Sequence, residues 1–155
     1  MRRAYFSLGT NLGDRVAHLR TGVALAGGVD PQRLSRVYES APVGGVAQDD
    51  FWNLVLEVAT SATPYELLAR ARAAEVAAQR TREVRWGPRT LDVDIAWIDD
   101  VTMDDEELTV PHPRMFERRF VLAPLRELRE DLVDDDVLAR AHGEVRVLGT
   151  LASLH

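Results

Sequence analysis

Residues 51–60 read Phe-Trp-Asn-Leu-Val-Leu-Glu-Val-Ala-Thr. This run alternates with a period of two and is rich in aromatic and branched residues, which predicts a strand over Phe51–Thr60. One face is uniformly apolar and is expected to pack on a core: Trp52, Leu54, Leu56 and Val58. The other face is mixed: Phe51, Asn53, Val55 and Glu57. An asparagine in the middle of a buried strand needs specific hydrogen-bond partners, so this mixed face is a candidate binding surface.

A helix start follows this strand directly. Thr63 has the properties of an N-cap, Pro64 suits the first helical position, and Glu66 completes a capping box. Apolar residues then recur at helical spacing: Leu67, Leu68, Ala71, Ala74 and Ala78. A further strand is predicted over Asp92–Ile98.

The N-terminal part predicts a strand over 3–8, a turn over 9–14 that supplies Asn11 or Asp14 as an N-cap, and a helix that ends at Gly27 and Gly28. A second strand is predicted over 34–40. Beyond the Asp92–Ile98 strand, the pattern favours helices over 120–128 and 134–142 and a short strand over 145–148. The order strand, helix, strand, strand, helix, strand is the split βαβ pattern. It predicts an α+β fold, mainly an antiparallel sheet with helices packed on it.

Composition limits the classes of function. The 155 residues fit one domain, expected to span 1–155, with 46% apolar and 28% charged residues. The chain has no Cys, which excludes disulfides and zinc thiolate sites and is compatible with a cytoplasmic protein. A net charge of −6 argues against nucleic acid, and no apolar stretch is long enough to span a membrane. All 19 basic residues are Arg, so any phosphate contact from a basic side chain is a guanidinium.

The segment 85–95 places two carboxylates beside an arginine. On a strand, Asp92 and Asp94 point to the same face, roughly 6.6–6.8 Å apart along the chain. Val93, Ile95 and Trp97 are expected on the opposite, core face. Mg²⁺ prefers one or two carboxylates plus phosphate oxygens, and Arg89 is suited to binding phosphate. An Asp-x-Asp pair also occurs by chance in a chain with 25 acidic residues, and a surface ion pair is the plain alternative for Arg89.

Four segments together resemble the 6-hydroxymethyl-7,8-dihydropterin pyrophosphokinases of folate biosynthesis: 7–14, 38–53, 85–95 and 108–125. The resemblance covers nearly the whole chain, in order. It implies a ferredoxin-like α/β sandwich and transfer of pyrophosphate from ATP to the hydroxymethyl group of 6-hydroxymethyl-7,8-dihydropterin, with release of AMP. It also implies two Mg²⁺ ions, ATP as co-substrate, and a monomer.

The resemblance assigns roles to individual residues. Those implied at the reacting phosphates are Arg80, Arg89, Asp92 and Asp94, with both aspartates holding the metal ions. Those implied to contact ATP are Glu75, Arg82, Trp86, Ile95, Thr109, His112 and Arg118. Those implied to bind the pterin are Ser40, Ala41, Val43, Phe51, Asn53 and Phe120. The chain departs from the family pattern at Gln79, where a Gly is usual, and at Ser40-Ala41, where Thr-Pro is common.

Two alternatives stay open at this point. A non-catalytic small-molecule-binding module could use the same ferredoxin-like fold, because a fold does not establish an activity. A nucleotide-sugar glycosyltransferase could use an Asp-x-Asp pair, although the chain is short for that fold and lacks a Gly-rich nucleotide loop. For several site residues the alternative is a structural role: core packing for Phe51 and Phe120, and a solvent-facing helix position for Glu75.

Overall fold

The computed structural model describes residues 1–42, 49–79 and 90–155. Its strands are β1 Arg2–Thr10, β2 Gln32–Leu34, β3 Val37–Ser40, β4 Phe51–Thr60, β5 Asp92–Ile98, β6 Met103–Asp104, β7 Thr109–Val110 and β8 Val145–Gly149. Its α-helices are α1 Arg15–Gly27, α2 Pro64–Gln79, α3 Arg119–Leu128 and α4 Asp135–Arg140. Short 3-10 turns occupy Met115–Glu117 and Leu151–Ser153. No helix in these ranges has both the length and the apolar character to cross a lipid bilayer.

The main sheet has the strand order β5-β1-β4-β3-β8, and its pairings are antiparallel. With α1 after β1 and α2 after β4, this order is the ferredoxin-like arrangement, so the predicted α+β class and architecture are confirmed. The single strand predicted over 34–40 is wrong in one respect. It is two strands, β2 and β3, which pair with different parts of β4. At the break, the Ser35 hydroxyl accepts a hydrogen bond from the Val55 N–H (2.8 Å).

The sheet is buried on both faces. The first core lies between the sheet and helices α1 and α2 and includes Phe6, Leu8, Leu54, Leu56 and Ile95. The second core lies between the other face and α3 and includes Tyr5, Val55, Ala96, Met115 and Leu122. The mixed face of β4 therefore points under α3, and its polar members Asn53 and Glu57 are buried.

Trp97 is a correction to the predicted core face of β5. Val93 and Ile95 pack in the first core as expected, but Trp97 packs against the second core. The reason is a bulge: Phe6 pairs with Ile95 and Tyr5 pairs with Trp97, so one extra residue is inserted at Ala96. An inserted residue reverses the alternation of side chains beyond it.

Both predicted helix starts are confirmed. Asp14, one of the two residues expected to cap α1, accepts from the Ala17 N–H at 3.1 Å. In α2, Thr63 and Glu66 exchange side-chain-to-backbone hydrogen bonds, each 3.1 Å long, in a capping box. These caps satisfy N–H groups that have no partner within the helix.

An ionic network lies beside the second core. The Tyr5 hydroxyl donates to Glu57 (2.7 Å), and Arg33 donates two hydrogen bonds to the same carboxylate (2.8 and 2.9 Å). Burial and the hydrogen bond to Glu57 raise the pKa of Tyr5 to about 12. Arg129, just after α3, donates to Asp99 at 2.6 Å and to Tyr5 at 3.2 Å. The network joins β1, β2 and β4 to the end of α3.

Candidate functional site

A cavity of about 610 Å³ opens on the α3 face of the sheet. Its floor is made by the ends of three neighbouring strands: Ser7 and Gly9 of β1, Phe51 and Asn53 of β4, and Asp92 and Asp94 of β5. Three segments form its walls: 40–42, 114–120 in part, and 142–145. A cavity of this size and mixed lining suits a small organic ligand.

The amide end of the cavity is preorganised. Asn53 is 2% exposed, and its Nδ2 donates to Ser40 Oγ at 2.9 Å and to the Tyr38 carbonyl at 3.3 Å. Both hydrogens of the amide nitrogen are therefore used inside the protein. The side-chain oxygen Oδ1 is the group left to meet a ligand, and it is an acceptor.

Gly9 separates the amide from the carboxylates. It pairs with Asn53 on one side and with Asp92 on the other, so the three residues form a row across β4, β1 and β5. Neighbouring strands are about 4.8 Å apart, which puts the backbones of Asn53 and Asp92 roughly 10 Å apart. A Cβ at Gly9 would lie 3.0 Å from Asn53 Oδ1. The glycine thus leaves the floor between the two polar groups open.

The carboxylate end is formed by β5 as the sequence predicts. Asp92 and Asp94 both line the cavity, with Asp92 partly buried and Asp94 exposed. Within 1–42, 49–79 and 90–155, no group of three or more His, Cys, Asp or Glu could hold a metal ion. The two aspartates could therefore supply part of a coordination shell, and a ligand or water would have to supply the rest.

His112 lies beside the carboxylate end. Its backbone N–H donates to the Ala96 carbonyl of β5 (2.9 Å), and its Nδ1 accepts from the Arg114 N–H (3.2 Å). Burial lowers the pKa of the imidazole below its ordinary value near 6.5; Asp94 opposes this, while Arg118 and Arg114 add to it. A neutral imidazole whose Nδ1 is an acceptor carries its proton on Nε2, so His112 presents a donor.

Aromatic and cationic side chains form the sides of the cavity. Phe51 and Phe120, both partly buried, line it from β4 and from α3. The guanidinium of Arg118 lies 5.6 Å from the centre of the Phe120 ring. Ser40 and Ala41 line it at the amide end.

Four of the described residues expected at the nucleotide do not line this cavity: His112, whose position is given above, and Glu75, Thr109 and Ile95. Glu75 of α2 accepts a hydrogen bond from the Val93 N–H (3.0 Å), so it lies at the outer edge of β5 between the two aspartates. The Thr109 hydroxyl donates to Asp104 (2.9 Å) within the β6–β7 pair. Ile95 is 4% exposed and packs in the first core, so its side chain is not available to a ligand in this cavity.

Five further predictions fall outside the described residues: Val43, Arg80, Arg82, Trp86 and Arg89. Conversely, the cavity includes residues that the sequence did not assign to the site: Ser7, Gly9, Arg114, Glu117, and His142 to Val145. Ser7 and Gly9 belong to the recognised segment 7–14. The segment 142–145 carries no sequence signal, because only the tertiary fold brings it to the site.

The fold and cavity define an α+β sandwich with a small-molecule site at one end of its sheet. The family model described as 7,8-dihydro-6-hydroxymethylpterin-pyrophosphokinase (HPPK) matches residues 5–130. The chain belongs to this family.

Relatives and solved structures agree. The chain is 45% identical to the Bacillus subtilis protein named 2-amino-4-hydroxy-6-hydroxymethyldihydropteridine pyrophosphokinase, over 93% of this chain and 89% of that protein. It is 40% identical to the Methylorubrum extorquens protein of the same name, over 86% of each. It is 46% identical to the bifunctional protein FolKE of Lactococcus lactis over 83% of this chain, but it spans only 38% of that protein. A crystal structure of Plasmodium falciparum HPPK-DHPS superimposes with a TM-score of 0.58 at 16% identity, covering 83% of this chain and 40% of that one. That likeness supports the fold.

Proposed function

We propose that the chain transfers pyrophosphate from ATP to the hydroxymethyl group of 6-hydroxymethyl-7,8-dihydropterin, giving AMP and the pterin diphosphate. Family membership and the names of the relatives support the reaction. The observation that carries it is the row Asn53–Gly9–Asp92: one cavity joins an amide that can read a heterocycle to carboxylates that suit a metal–phosphate group. The non-catalytic alternative gives no reason for both ends to meet in one cavity.

The amide end fits the pterin. A pterin is flat and carries ring N–H and amino donors along one edge. Because Asn53 Oδ1 is the free acceptor, we assign it to such a donor, while Ser40 and Tyr38 hold the amide in place. Ala41, and Val43 by resemblance, belong to the same edge.

The sides of the cavity fit the faces of the ring. Phe51 and Phe120 come from different elements and line one cavity, so a planar heterocycle can stack on them. Aromatic packing supplies most of the apolar contact, and the amide fixes the orientation.

The carboxylate end suits the triphosphate of ATP. We assign His112 as a donor from Nε2 to a phosphate oxygen, following the resemblance and the neutral tautomer described above. We assign Arg118 as a cation beside it, following the resemblance. Assignments that rest on the resemblance alone remain proposals: Arg80, Arg82 and Arg89 at the phosphates, and Glu75, Trp86, Ile95 and Thr109 at the nucleotide.

Asp92 and Asp94 are suited to binding Mg²⁺. Together with phosphate oxygens, they would hold two ions. They are hard oxygen ligands on one face of a strand, and they open into the cavity. Mg²⁺ when bound would neutralise charge on the phosphates and help to align them. The protein's own contribution is rigidity: hydrogen bonds from β1 on one edge, and Glu75 on the other, fix the backbone that carries both carboxylates.

The reaction is an in-line displacement at the β-phosphorus. The hydroxymethyl oxygen forms the new O–P bond and loses its proton, and AMP leaves with the oxygen that bridged the α- and β-phosphorus atoms. Negative charge develops on the phosphoryl oxygens, so fixed donors such as His112 and Arg118 lower the barrier most when they are already oriented.

We expect the chain to act as a single domain over 1–155, as a monomer in the cytoplasm, and without nucleic-acid or membrane partners. Size-exclusion chromatography with light scattering would test the monomer. A dimer that persists upon dilution would contradict it.

The deciding assay mixes the purified protein with ATP, Mg²⁺ and 6-hydroxymethyl-7,8-dihydropterin and measures AMP. We expect AMP to form in step with the pterin diphosphate, and only slowly when the pterin is omitted. Pterin binding without AMP release would instead support the non-catalytic alternative.

A further inference from the structure

The wall 142–145 is made of His142, Gly143, Glu144 and Val145. Val145 pairs with Ser40 of β3, and Gly143 accepts a hydrogen bond from a side chain. Arg119, the first residue of α3, donates from its guanidinium to three backbone carbonyl groups. The acceptors are Leu138 (3.2 Å), Ala139 (3.1 Å) and Gly143. Two of these carbonyls belong to the last turn of α4, where helix carbonyls lack partners within the helix.

Backbone hydrogen bonds extend the attachment. The Arg119 N–H donates to the His142 carbonyl at 3.0 Å, and the His142 N–H donates to the Glu117 carbonyl at 2.7 Å. The start of α3 and the wall 142–145 are thereby joined edge to edge. Phe120, which follows Arg119, and the wall both line the cavity.

Apolar packing helps to hold α4 but contributes little at residues 142–144. In α4, Val137 and Leu138 are partly buried against the second core, and Ala141 after the helix is buried in it. By contrast, His142, Gly143 and Glu144 are exposed. The exposed residues 142–144 therefore depend on polar contacts for their position, since burial is the main stabilising term elsewhere. The side chain of Arg119 donates hydrogen bonds both to α4 and to the wall.

We infer that Arg119 is a positioning residue for the acceptor: it sets the distance between the wall 142–145 and Phe120, and so the width of the slot that takes the flat ring. This inference rests on the proposed function, because it identifies the occupant of the slot as the pterin. Arg119 acts through the wall and through Phe120, and it needs no contact of its own with the substrate.

The test compares Arg119→Ala with Arg126→Ala. Arg126 is a matched control because it also joins α3 to α4, through Asp135, but does not line the cavity. For Arg119→Ala we expect the KM for the pterin to rise about tenfold, as for one lost polar contact, with the KM for ATP and kcat within about twofold. Amide exchange in 142–145 should accelerate. Arg119→Lys keeps the positive charge but loses the branched set of N–H donors. Its KM for the pterin should lie between those of wild type and Arg119→Ala.

An unchanged pterin KM, or equal changes for pterin and ATP, would overturn the inference; so would an equal effect of Arg126→Ala. Failure of the proposed function looks different, because the wild-type protein would then release no AMP. In that event, calorimetry compares the Kd for the pterin in wild type and in Arg119→Ala. Weaker binding by the variant would support the inference, and equal binding, or no binding by wild type, would overturn it.

Discussion

Replacing Asn53 by Ala tests the amide end of the site. The substitution removes the donors to Ser40 Oγ and the Tyr38 carbonyl (2.9 and 3.3 Å) and the free acceptor Oδ1. Each internal hydrogen bond contributes about 1 kcal/mol net, so the folded state should lose about 2 kcal/mol. A ligand N–H left without its acceptor inside the cavity costs a further 1–3 kcal/mol, roughly, in binding. At about 1.4 kcal/mol per tenfold, the Kd for the pterin should rise about tenfold to a hundredfold.

Ser35→Ala provides the matched control. Ser35 is 3% exposed, and its hydroxyl accepts from the Val55 N–H and donates to the Arg36 carbonyl, each at 2.8 Å. The variant therefore loses two hydrogen bonds, one buried and one partly buried, beside the same strand β4 and outside the cavity. We expect a similar loss of stability in urea unfolding, with no change in pterin affinity.

Isothermal titration calorimetry with the pterin and with a non-hydrolysable ATP analogue reads out the result. The Kd for the analogue should stay within about twofold in both variants, because the amide end lies about two strands from the carboxylates. Equal losses for the two ligands in Asn53→Ala, or the same pterin loss in Ser35→Ala, would refute the assignment of Asn53.

Three other substitutions test separate parts of the structure. Asp94→Asn should lower kcat for AMP formation by at least about a hundredfold while pterin binding persists. The control Asp100→Asn, beyond the end of the same strand, should have a kcat near that of wild type. Near-normal turnover by Asp94→Asn would count against the metal–phosphate role. Gly9→Ala puts a Cβ 3.0 Å from Asn53 Oδ1 and should weaken pterin binding about tenfold in calorimetry; unchanged affinity would show that the floor of the cavity is not in contact with the ring. Glu57→Gln should cost about 2 kcal/mol in urea unfolding at neutral pH. Burial favours the neutral form of Glu57, but hydrogen bonds from its arginine and tyrosine partners hold its pKa below the ordinary value near 4.5. The stability that the charged carboxylate contributes is therefore present above pH 4.5 and is lost as the pH falls through the folded pKa. If the difference in unfolding free energy between wild type and Glu57→Gln does not shrink in acid, this explanation is contradicted.

The floor of the site could be predicted because it lies on regular strands. Alternation alone places Asp92 with Asp94, and Phe51 with Asn53, on single faces, and the structure brings all four to one cavity. The same alternation failed for Trp97, because a bulge at the β1–β5 pairing depends on the partner strand and leaves no mark in the sequence of β5.

The walls could not be predicted in the same way. Segment 142–145 lies about ninety residues from Asn53 in sequence, its first three residues are exposed, and its residue types suggest no ligand. Its place in the site follows from the pairing of β8 with β3 and from hydrogen bonds at the start of α3. Some of these come from Arg119, which the sequence presents only as one arginine among 19.

The sequence by itself determined the α+β class, the order of the main strands and helices apart from the division between β2 and β3, the capping box at Thr63, and the family. These depend on local periodicity and on motifs contiguous in the chain. Only the tertiary structure decided that Gly9 separates Asn53 from Asp92, that both faces of the sheet are buried, and that α4 and its following segment close one side of the cavity. Those features depend on which strand pairs with which, and on contacts between residues far apart in the chain. Local propensities carry no information on either.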